Sequence, residues 1–396
     1  MIHWIKIQNF KSLRDVTVRL SPVTVLIGKS GTGKTNFVSA IRFLRDYLRR
    51  GAPPENWESW RCATNPSEPT EFSLEFTIPR ISGVFRYTIR IAPHWTRGPL
   101  LEELEFAEGT VFCQVCRVER QEKHGVRVSS PEWQTPPPLI SPPKPEGVML
   151  GQLPGVELAV LAHTFLTAGI GVYNFPYDVL QKGETEAPRY GLLDKGENFL
   201  EVLRQLFTDL EAIDTRKAIV AALRCLNPTV ANIQPDSIQQ PKKVVVGHQL
   251  GEKILPLELA QESDGFRRFL AHLLALYQKP AKQILVFEEP ENGIYPAALE
   301  LLAHEFRAAP GAGRGQVLLT THSPVLLDYF SHEEIRVVEL VDLETRIGPL
   351  ASDQREALRE QLMHPGELLT VDTPRMAAGE IEASPPVAAG EMESPE

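Results

Sequence analysis

Glycine, lysine and threonine fall at G-x-x-x-x-G-K-T spacing in Gly28-Lys29-Ser30-Gly31-Thr32-Gly33-Lys34-Thr35, between the apolar run Thr24-Val25-Leu26-Ile27 and a helix-forming stretch from Asn36. Gly31 and Gly33 let the backbone curl so that successive N–H groups point at phosphate oxygens, and the helix opening near Lys34 aims its positive end at the same spot. Lys34 would reach the β/γ-phosphates as a point charge, while the Thr35 hydroxyl would complete the coordination of Mg²⁺. The candidate nucleotide-binding set is therefore Gly28, Lys29, Ser30, Gly31, Thr32, Gly33, Lys34, Thr35 and Asn36. The plainer reading, a glycine-rich loop that only turns the chain, is disfavoured by the strand before it and the helix after it. Two more apolar runs end in reactive side chains: Gln283-Ile284-Leu285-Val286-Phe287 in Glu288-Glu289-Pro290, and Gln316-Val317-Leu318-Leu319-Thr320 in Thr321-His322-Ser323-Pro324. Glu288 could hold Mg²⁺, Glu289 could orient or deprotonate an attacking water, and His322 could sense a γ-phosphate. Adjacent strand residues point opposite ways, so both carboxylates serve one site only if the strand ends there, as Pro290 suggests. A solvated strand end and a capping histidine are the bland alternatives.

The elements that would position these groups alternate in type. Residues 2–7 and Asp15 to Leu20 read as short strands before the glycine-rich loop, and Asn36 to Arg50 as the helix after it. Phe72 to Ile78 and Phe85 to Ile91 read as an antiparallel hairpin, extended by Leu101 to Phe106 and Val111 to Val118, so a β-rich subdomain is expected over about 70–130. Seven prolines from Pro131 to Pro145 mark an extended surface loop over about 131–150. A helical lobe follows over about 155–228, with helical spacing in Glu157 to Ala168 and Phe199 to Leu226. Strand character returns at Val244 and at Ile254, followed by a helix from about Gly265 to Gln278 and by strands and helices in alternation to Val341. Continuous apolar strands of this kind belong in a parallel sheet buried on both faces, with ligands at its carboxyl edge. The first 350 residues are expected to form one α/β unit, whose acidic and histidine half spans about 240–345. Residues 351–396 form a C-terminal segment, disordered from about 374.

Composition narrows the class. The 396 residues are 42% hydrophobic, contain no apolar run long enough to span a membrane and begin without the layout of a signal peptide, so a cytoplasmic location and no membrane partner are expected. Four cysteines are too few for a disulfide framework, and Cys113-x-x-Cys116 lies in strand-like sequence with no second pair, which favours a structural role over a metal site. The net charge is −10, but residues 1–50 hold ten Lys/Arg against Asp15 and Asp46. Arg42, Arg45 and Arg49 fall at i, i+3 and i+7 and would share one helix face, which could meet double-stranded DNA or be a solvated flank.

Taken in order, Ile7-Gln8-Asn9-Phe10-Lys11-Ser12-Leu13, the glycine-rich loop, Glu262-Ser263-Asp264-Gly265-Phe266-Arg267-Arg268, Phe287-Glu288-Glu289-Pro290-Glu291-Asn292-Gly293 and Thr320-Thr321-His322-Ser323-Pro324 resemble the motifs of the RecF/SMC-like branch of ABC-type ATPases. More narrowly, the chain is similar to stand-alone predicted AAA-type ATPases related to RecF and to the ATPase half of OLD proteins. Asp194-Lys195-Gly196-Glu197-Asn198-Phe199 resembles that group's Gly-x-Asn-Leu segment. The resemblance implies a P-loop NTPase core, ABC/SMC-head-like, with an antiparallel β subdomain and an inserted helical lobe. It implies ATP and Mg²⁺ as cofactors, Glu288 as the Walker B acid, Glu289 as the catalytic carboxylate and His322 as the switch histidine. Ser263 and Gly265 would be signature residues that contact ATP held by a second copy, giving an ATP-dependent homodimer. Gln152 is the candidate Q-loop glutamine, hence a metal-side residue. The family's roles in DNA repair or surveillance against foreign DNA follow as expectations, as does the alternative of a nucleotide-gated module acting on a separately encoded effector protein. Three departures stand out: Glu288 replaces the commoner Asp, Ser263-Asp264-Gly265 replaces Ser-Gly-Gly, and Tyr295 stands where many relatives have His. Neither the SMC coiled coil nor the TOPRIM nuclease domain of OLD proteins has room in the sequence, so no intrinsic nuclease is expected.

Overall fold

The computed structural model describes residues 1–52, 57–93, 98–121, 125–131, 148, 150–153, 155–182, 191–235 and 244–377. Most of the proline-rich stretch, and the tail from 378 onward, lie outside the described residues. The chain opens with β1 (Ile2–Phe10), β2 (Leu13–Arg19) and β3 (Val23–Ile27), then α1 (Lys34–Arg50). Strands β4 (Thr70–Phe76), β5 (Val84–Ile91), β6 (Leu101–Ala107), β7 (Cys113–Gln121) and β8 (Gly125–Ser129) follow. Next come α2 (Glu157–Thr167), β9 (Ile170–Tyr173), α3 (Tyr177–Lys182), α4 (Phe199–Thr208) and α5 (Ile213–Leu226). The second half holds β10 (Val230–Pro235), β11 (Val244–Leu250), β12 (Lys253–Glu258), α6 (Asp264–Tyr277), β13 (Ile284–Glu288) and α7 (Leu299–Gly311). It closes with β14 (Gln316–Thr320), α8 (Pro324–Leu327), β15 (Ile335–Val341), β16 (Glu344–Pro349) and α9 (Ser352–Arg359).

These elements build two large sheets with α1 between them. The outer sheet has the order β2-β1-β4-β5-β6-β7-β8 and is antiparallel throughout, so the amino-terminal strands belong to the β-rich unit. The central sheet has the order β16-β15-β3-β14-β13-β9, with every neighbouring pair parallel except β15–β16. Alternation explains its continuous apolar strands. Leu26, Val286 and Leu318 face α1 and the outer sheet, while Val25, Ile27, Leu285, Phe287 and Leu319 face α4, α5, α6 and α7. Because α1 is covered by a sheet on each side, 11 of its 17 residues are buried. Phe43 and Tyr47 stack on this helix with ring centroids 5.8 Å apart, and Phe43 packs against Phe72 of β4 at the same distance.

Several particulars emerge only from the structure. The helix expected across 199–226 is two helices, because Asp209 turns extended and its carboxylate accepts the Glu211 N–H at 2.9 Å. After the helices, a strand that the periodicity did not show, β10, joins the expected β11 and β12 in a three-stranded sheet. The last described residues pack on the fold: Met376 bridges to Leu350, the Ala377 N–H bonds the Pro349 carbonyl, and Arg375 pairs with Asp353 at 2.6 Å. Finally, the arginine face of α1 is not a free surface for a phosphate backbone. Arg45 is buried and holds both carboxylate oxygens of Asp194 at 2.7 Å, Arg42 approaches the same carboxylate at 3.3 Å, and Arg49 donates to the Thr167 carbonyl. Burial in the layered core, which a helix-face count cannot register, turns Arg45 into an internal fastener, with Arg42 half-buried beside it and Arg49 exposed but bonded. Cys113 is exposed and Cys116 buried on β7.

Truncating Asp194 to alanine leaves the buried Arg45 guanidinium short of its bidentate partner. Discounted for the partial exposure of Asp194, the loss is about 2 kcal/mol of stability, measured as a lower urea midpoint with unchanged slope.

Candidate functional site

The site is assembled at the carboxyl ends of four adjacent parallel strands, β3, β14, β13 and β9. The first supplies the glycine-rich loop. Gly28 has φ 155° and Gly33, which caps α1, has φ 108°. A side chain at Gly28 would run into the Val338 carbonyl of β15, and one at Gly33 into the Thr345 hydroxyl of β16. These two glycines thus serve close backbone packing as well as curvature. Gly31, φ 79°, has open space around it, which suits a loop crest. Thr345 also donates to the Thr32 carbonyl at 2.8 Å and shares a 2.7 Å hydrogen bond with Ser12, which in turn accepts from Asn36 at 2.7 Å. Within the loop, the Thr32 hydroxyl donates to the Lys29 carbonyl. Lys29, Ser30 and Thr35 are exposed along the mouth.

Lys34 is 6% exposed, and its ammonium donates to the Gly28 and Lys29 carbonyls at 2.7 and 2.9 Å. Burial pushes its pKa down to about 8, against the pull of the Glu289 carboxylate. Glu288 ends β13, and Glu289 then adopts φ 46°, a left-handed conformation that breaks the strand. This is the strand ending that two adjacent carboxylates need in order to serve one site. The Glu289 N–H bonds the Thr320 carbonyl at 3.1 Å, its Oε2 accepts from Asn292 at 2.9 Å, and its Oε1 lies 3.7 Å from His322 Nε2. Lys11 is turned toward the same edge. Burial and the Arg42 charge lower its pKa, opposed by Glu288, and its ammonium lies 4.9 Å over the Trp60 ring.

Two family models match parts of the chain: one described as an AAA ATPase domain over residues 1–75, and one described as an AAA domain, putative AbiEii toxin, type IV TA system, over residues 173–328. Among solved structures, the chain is similar to an SMC head bound to the C-winged helix domain of ScpA, with 12% identity and a TM-score of 0.55 over 90% of this chain and 99% of that one. It is also similar to an SMC head domain with an extended coiled coil bound to the C-terminal domain of ScpA derived from Pyrococcus furiosus, with 12% identity and a TM-score of 0.54 over 91% and 99%. The fold is that of an SMC head, a P-loop ATPase domain. No curated protein matches the chain.

In this SMC-head fold the expected signature residues begin α6. Ser263 caps the helix by accepting the Phe266 N–H at 3.3 Å, and Ser263 and Asp264 are exposed. Gly265 is packed against the loop after β13, where a side chain would sit 3.1 Å from the Gly293 carbonyl. The Asp264 carboxylate, which stands where many relatives have glycine, is paired with Arg267 at 2.5 Å.

Gln152 is not at the site. Its amide donates to the Val148 carbonyl, and the Val148 N–H bonds Gly51, the carboxyl-terminal cap of α1. That end of α1 is 17 residues from Lys34, so Gln152 lies about 25 Å along the helix from the phosphate loop. The amide that does reach the acidic strand end is Asn174, directly after β9, whose Nδ2 lies 3.5 Å from Glu288 Oε2. The Asn174 N–H bonds the carbonyl of Asp194, the residue that holds Arg45, so the Gly-x-Asn segment fastens this strand end in place. A four-residue strand containing Gly171 gave no periodicity to read, which is why Asn174 escaped notice. Glu291 was missed too. Its Oε1 accepts from the Thr321 hydroxyl at 2.8 Å, the His322 N–H at 2.8 Å and the Ser323 N–H at 3.1 Å, pinning the histidine loop to the acidic one.

The Thr35 hydroxyl, the Glu288 carboxylate and the Asn174 side-chain carbonyl would offer Mg²⁺ the oxygen donors it accepts together with substrate phosphates. The Gln152→Ala chain should require Mg²⁺ as the unaltered chain does, whereas Asn174→Ala should raise the Mg²⁺ concentration for half-maximal turnover about tenfold, read by metal titration at saturating ATP. Since phosphates favour the charged form of Lys34, ATP affinity should hold below its lowered pKa and fall by up to about tenfold per pH unit above it. Calorimetric titration between about pH 7 and about pH 9.5 checks this, with Lys34→Arg giving a flat profile.

Proposed function

We propose that this chain binds and hydrolyses Mg-ATP and that two copies close head to head around two nucleotides. The observation that carries the reading is the convergence of four strand ends, which sets Glu289 within electrostatic reach of Lys34 and 3.7 Å from His322. Lys34 and the loop N–H groups hold the β- and γ-phosphates, and Thr35 and Glu288, with Asn174 beside it, hold Mg²⁺. The metal supplies neutralisation of charge on the phosphate oxygens. Glu289 orients the attacking water and accepts its proton, and Asn292 fixes its carboxylate for that task. His322 stands at the γ-phosphate and reports its presence. Ser263 and Gly265 serve the nucleotide of the second copy, which the exposure of Ser263 at a helix amino terminus supports. The family resemblance extends the proposal to DNA maintenance or surveillance against foreign DNA. The occupied arginine face of α1 withdraws the sequence argument for direct DNA contact through that surface.

A second reading is a nucleotide-gated module that presents a surface to a separately encoded protein, with little turnover. The Asp264–Arg267 pair at the signature favours it, because a carboxylate there opposes an incoming γ-phosphate until its charge is compensated. The SMC heads bound to ScpA domains, and the toxin–antitoxin description of one matching family, lend it support.

Glu289→Gln separates the two readings. Turnover should fall by about 10²- to 10⁴-fold while ATP binding persists, and sedimentation with ATP should show a stable dimer. A wild-type rate no higher than that of the variant, with dimerisation retained, selects the gated module; a monomer indifferent to ATP defeats both.

A further inference from the structure

Away from the nucleotide edge, α5 and β10 enclose a groove of about 480 Å³. Its lining pairs an apolar floor with a basic rim. Phe207, at the end of α4, and Ile233, on β10, are buried at the bottom. Ile213 is 47% exposed at the mouth, and Leu210, in the turn just before it, is 82% exposed. The charged side chains of the lining are Arg216, Lys217 and Arg224, with no carboxylate among them.

The two arginines are held in place by the backbone. Arg216 donates to the Phe207 carbonyl, and Arg224 donates to the Val230 and Ala231 carbonyls at 2.9 and 3.0 Å. Neither is ion-paired among the described residues, and Lys217 meets only Asp214, at 3.7 Å and with both side chains open to water. A carbonyl takes a hydrogen bond but leaves the guanidinium charge unbalanced, so the rim favours carboxylates. The floor favours an apolar side chain, which a polyphosphate would not supply. β10 is the edge strand of its sheet, so an extended segment can lie beside it.

We propose that this groove receives the segment Glu391-Met392-Glu393 of the same chain. Residues 378–396, which follow the last described residue, hold five glutamates and neither lysine nor arginine. They twice place one bulky apolar residue between two carboxylates, at Glu380-Ile381-Glu382 and at Glu391-Met392-Glu393. Such a triplet complements the groove: an apolar anchor for the floor, with a charge on either side for Arg216, Lys217 and Arg224. Reach chooses between the two. Ala377 is bonded to Pro349 at the end of β16, β14 is three strands away, α7 covers β14, and α5 packs on α7. That path is on the order of 30 Å. Ile381, four residues past Ala377, extends about 14 Å at most, whereas Met392, fifteen residues past it, extends about 50 Å. Only the second triplet spans the gap, and methionine suits a groove of irregular shape. Because both partners belong to one chain, a contact too weak to hold separate molecules together is sufficient here.

The test uses the full chain with benzoylphenylalanine in place of Ala389, three residues before Met392. Its readout needs no ATP turnover, so it stands apart from the ATPase reading. Photolysis of dilute protein should crosslink this position to residues 207–233 of the same chain, as mapped by peptide mass spectrometry. Met392→Asp removes the anchor, and the pair Glu391→Lys and Glu393→Lys reverses its flanks. Each should lower the yield about tenfold with the far-ultraviolet circular dichroism unchanged. On the groove side, exposed Lys217→Glu should lower the yield about threefold, and by less once the two glutamates are already reversed. Raising the salt from about 0.05 M to about 0.5 M should weaken the unaltered crosslink in the same direction. Crosslinks at another surface or to a second chain, no crosslink at all, or a yield indifferent to the charge reversals overturns the proposal.

Discussion

The backbone of residues 28–33 can take its shape only because β15 and β16 press against it with nothing but hydrogen on the facing Cα atoms. Val338 closes over Gly28 and Thr345 over Gly33, and the Thr345 hydroxyl reaches both Thr32 and Ser12. The phosphate loop is thereby held from behind, which leaves its N–H groups facing the open edge. A loop that had to be ordered by its ligand would spend part of the binding free energy on that ordering. Here the fold has already met that cost through contacts 333 and 313 residues apart in sequence, from Ser12 and Thr32 to Thr345.

A second set of fasteners runs across α1. Arg45 leaves the buried face of the helix to hold Asp194, the Asp194 carbonyl holds Asn174, and Asn174 sits beside Glu288. The metal side of the site and the helix that opens at Lys34 are thus tied by one continuous polar path. Charge placed inside such a layered core is costly unless it is paired with good geometry, and the bidentate contact meets that condition. Arg45, buried and paired in this way, is not available to an external polyanion.

At the signature, the charge pattern argues for restraint. Asp264 and Arg267 neutralise one another one turn apart, at a helix terminus that would otherwise favour anions without discrimination. Gly265 and Arg268 seat the same helix closely on the loop after β13.

Much of this molecule was legible in its sequence, because the decisive signals were local. G-x-x-x-x-G-K-T needs only its own strand and helix, buried parallel strands announce themselves as unbroken apolar runs, and an acidic pair before Pro290 marks a strand end. Such features follow from backbone sterics and side-chain period, which act within a few residues. What the sequence left open depended on who packs against whom. Gln152 and Asn174 are both amides beside strands or helices, and only the β9–β13 pairing puts Asn174, not Gln152, next to Glu288. Arg42 and Arg45 share a helix face in either case, and only the long-range approach of Asp194 gives that face its partner. Glu291, Asn292 and Arg268 carry no spacing signature at all, since their partners lie on β14's loop and on α6. The chain by itself determined which groups could hold and cleave a triphosphate; the tertiary structure alone decided which of them meet, because long-range contact is set by burial and register and leaves no local period to read.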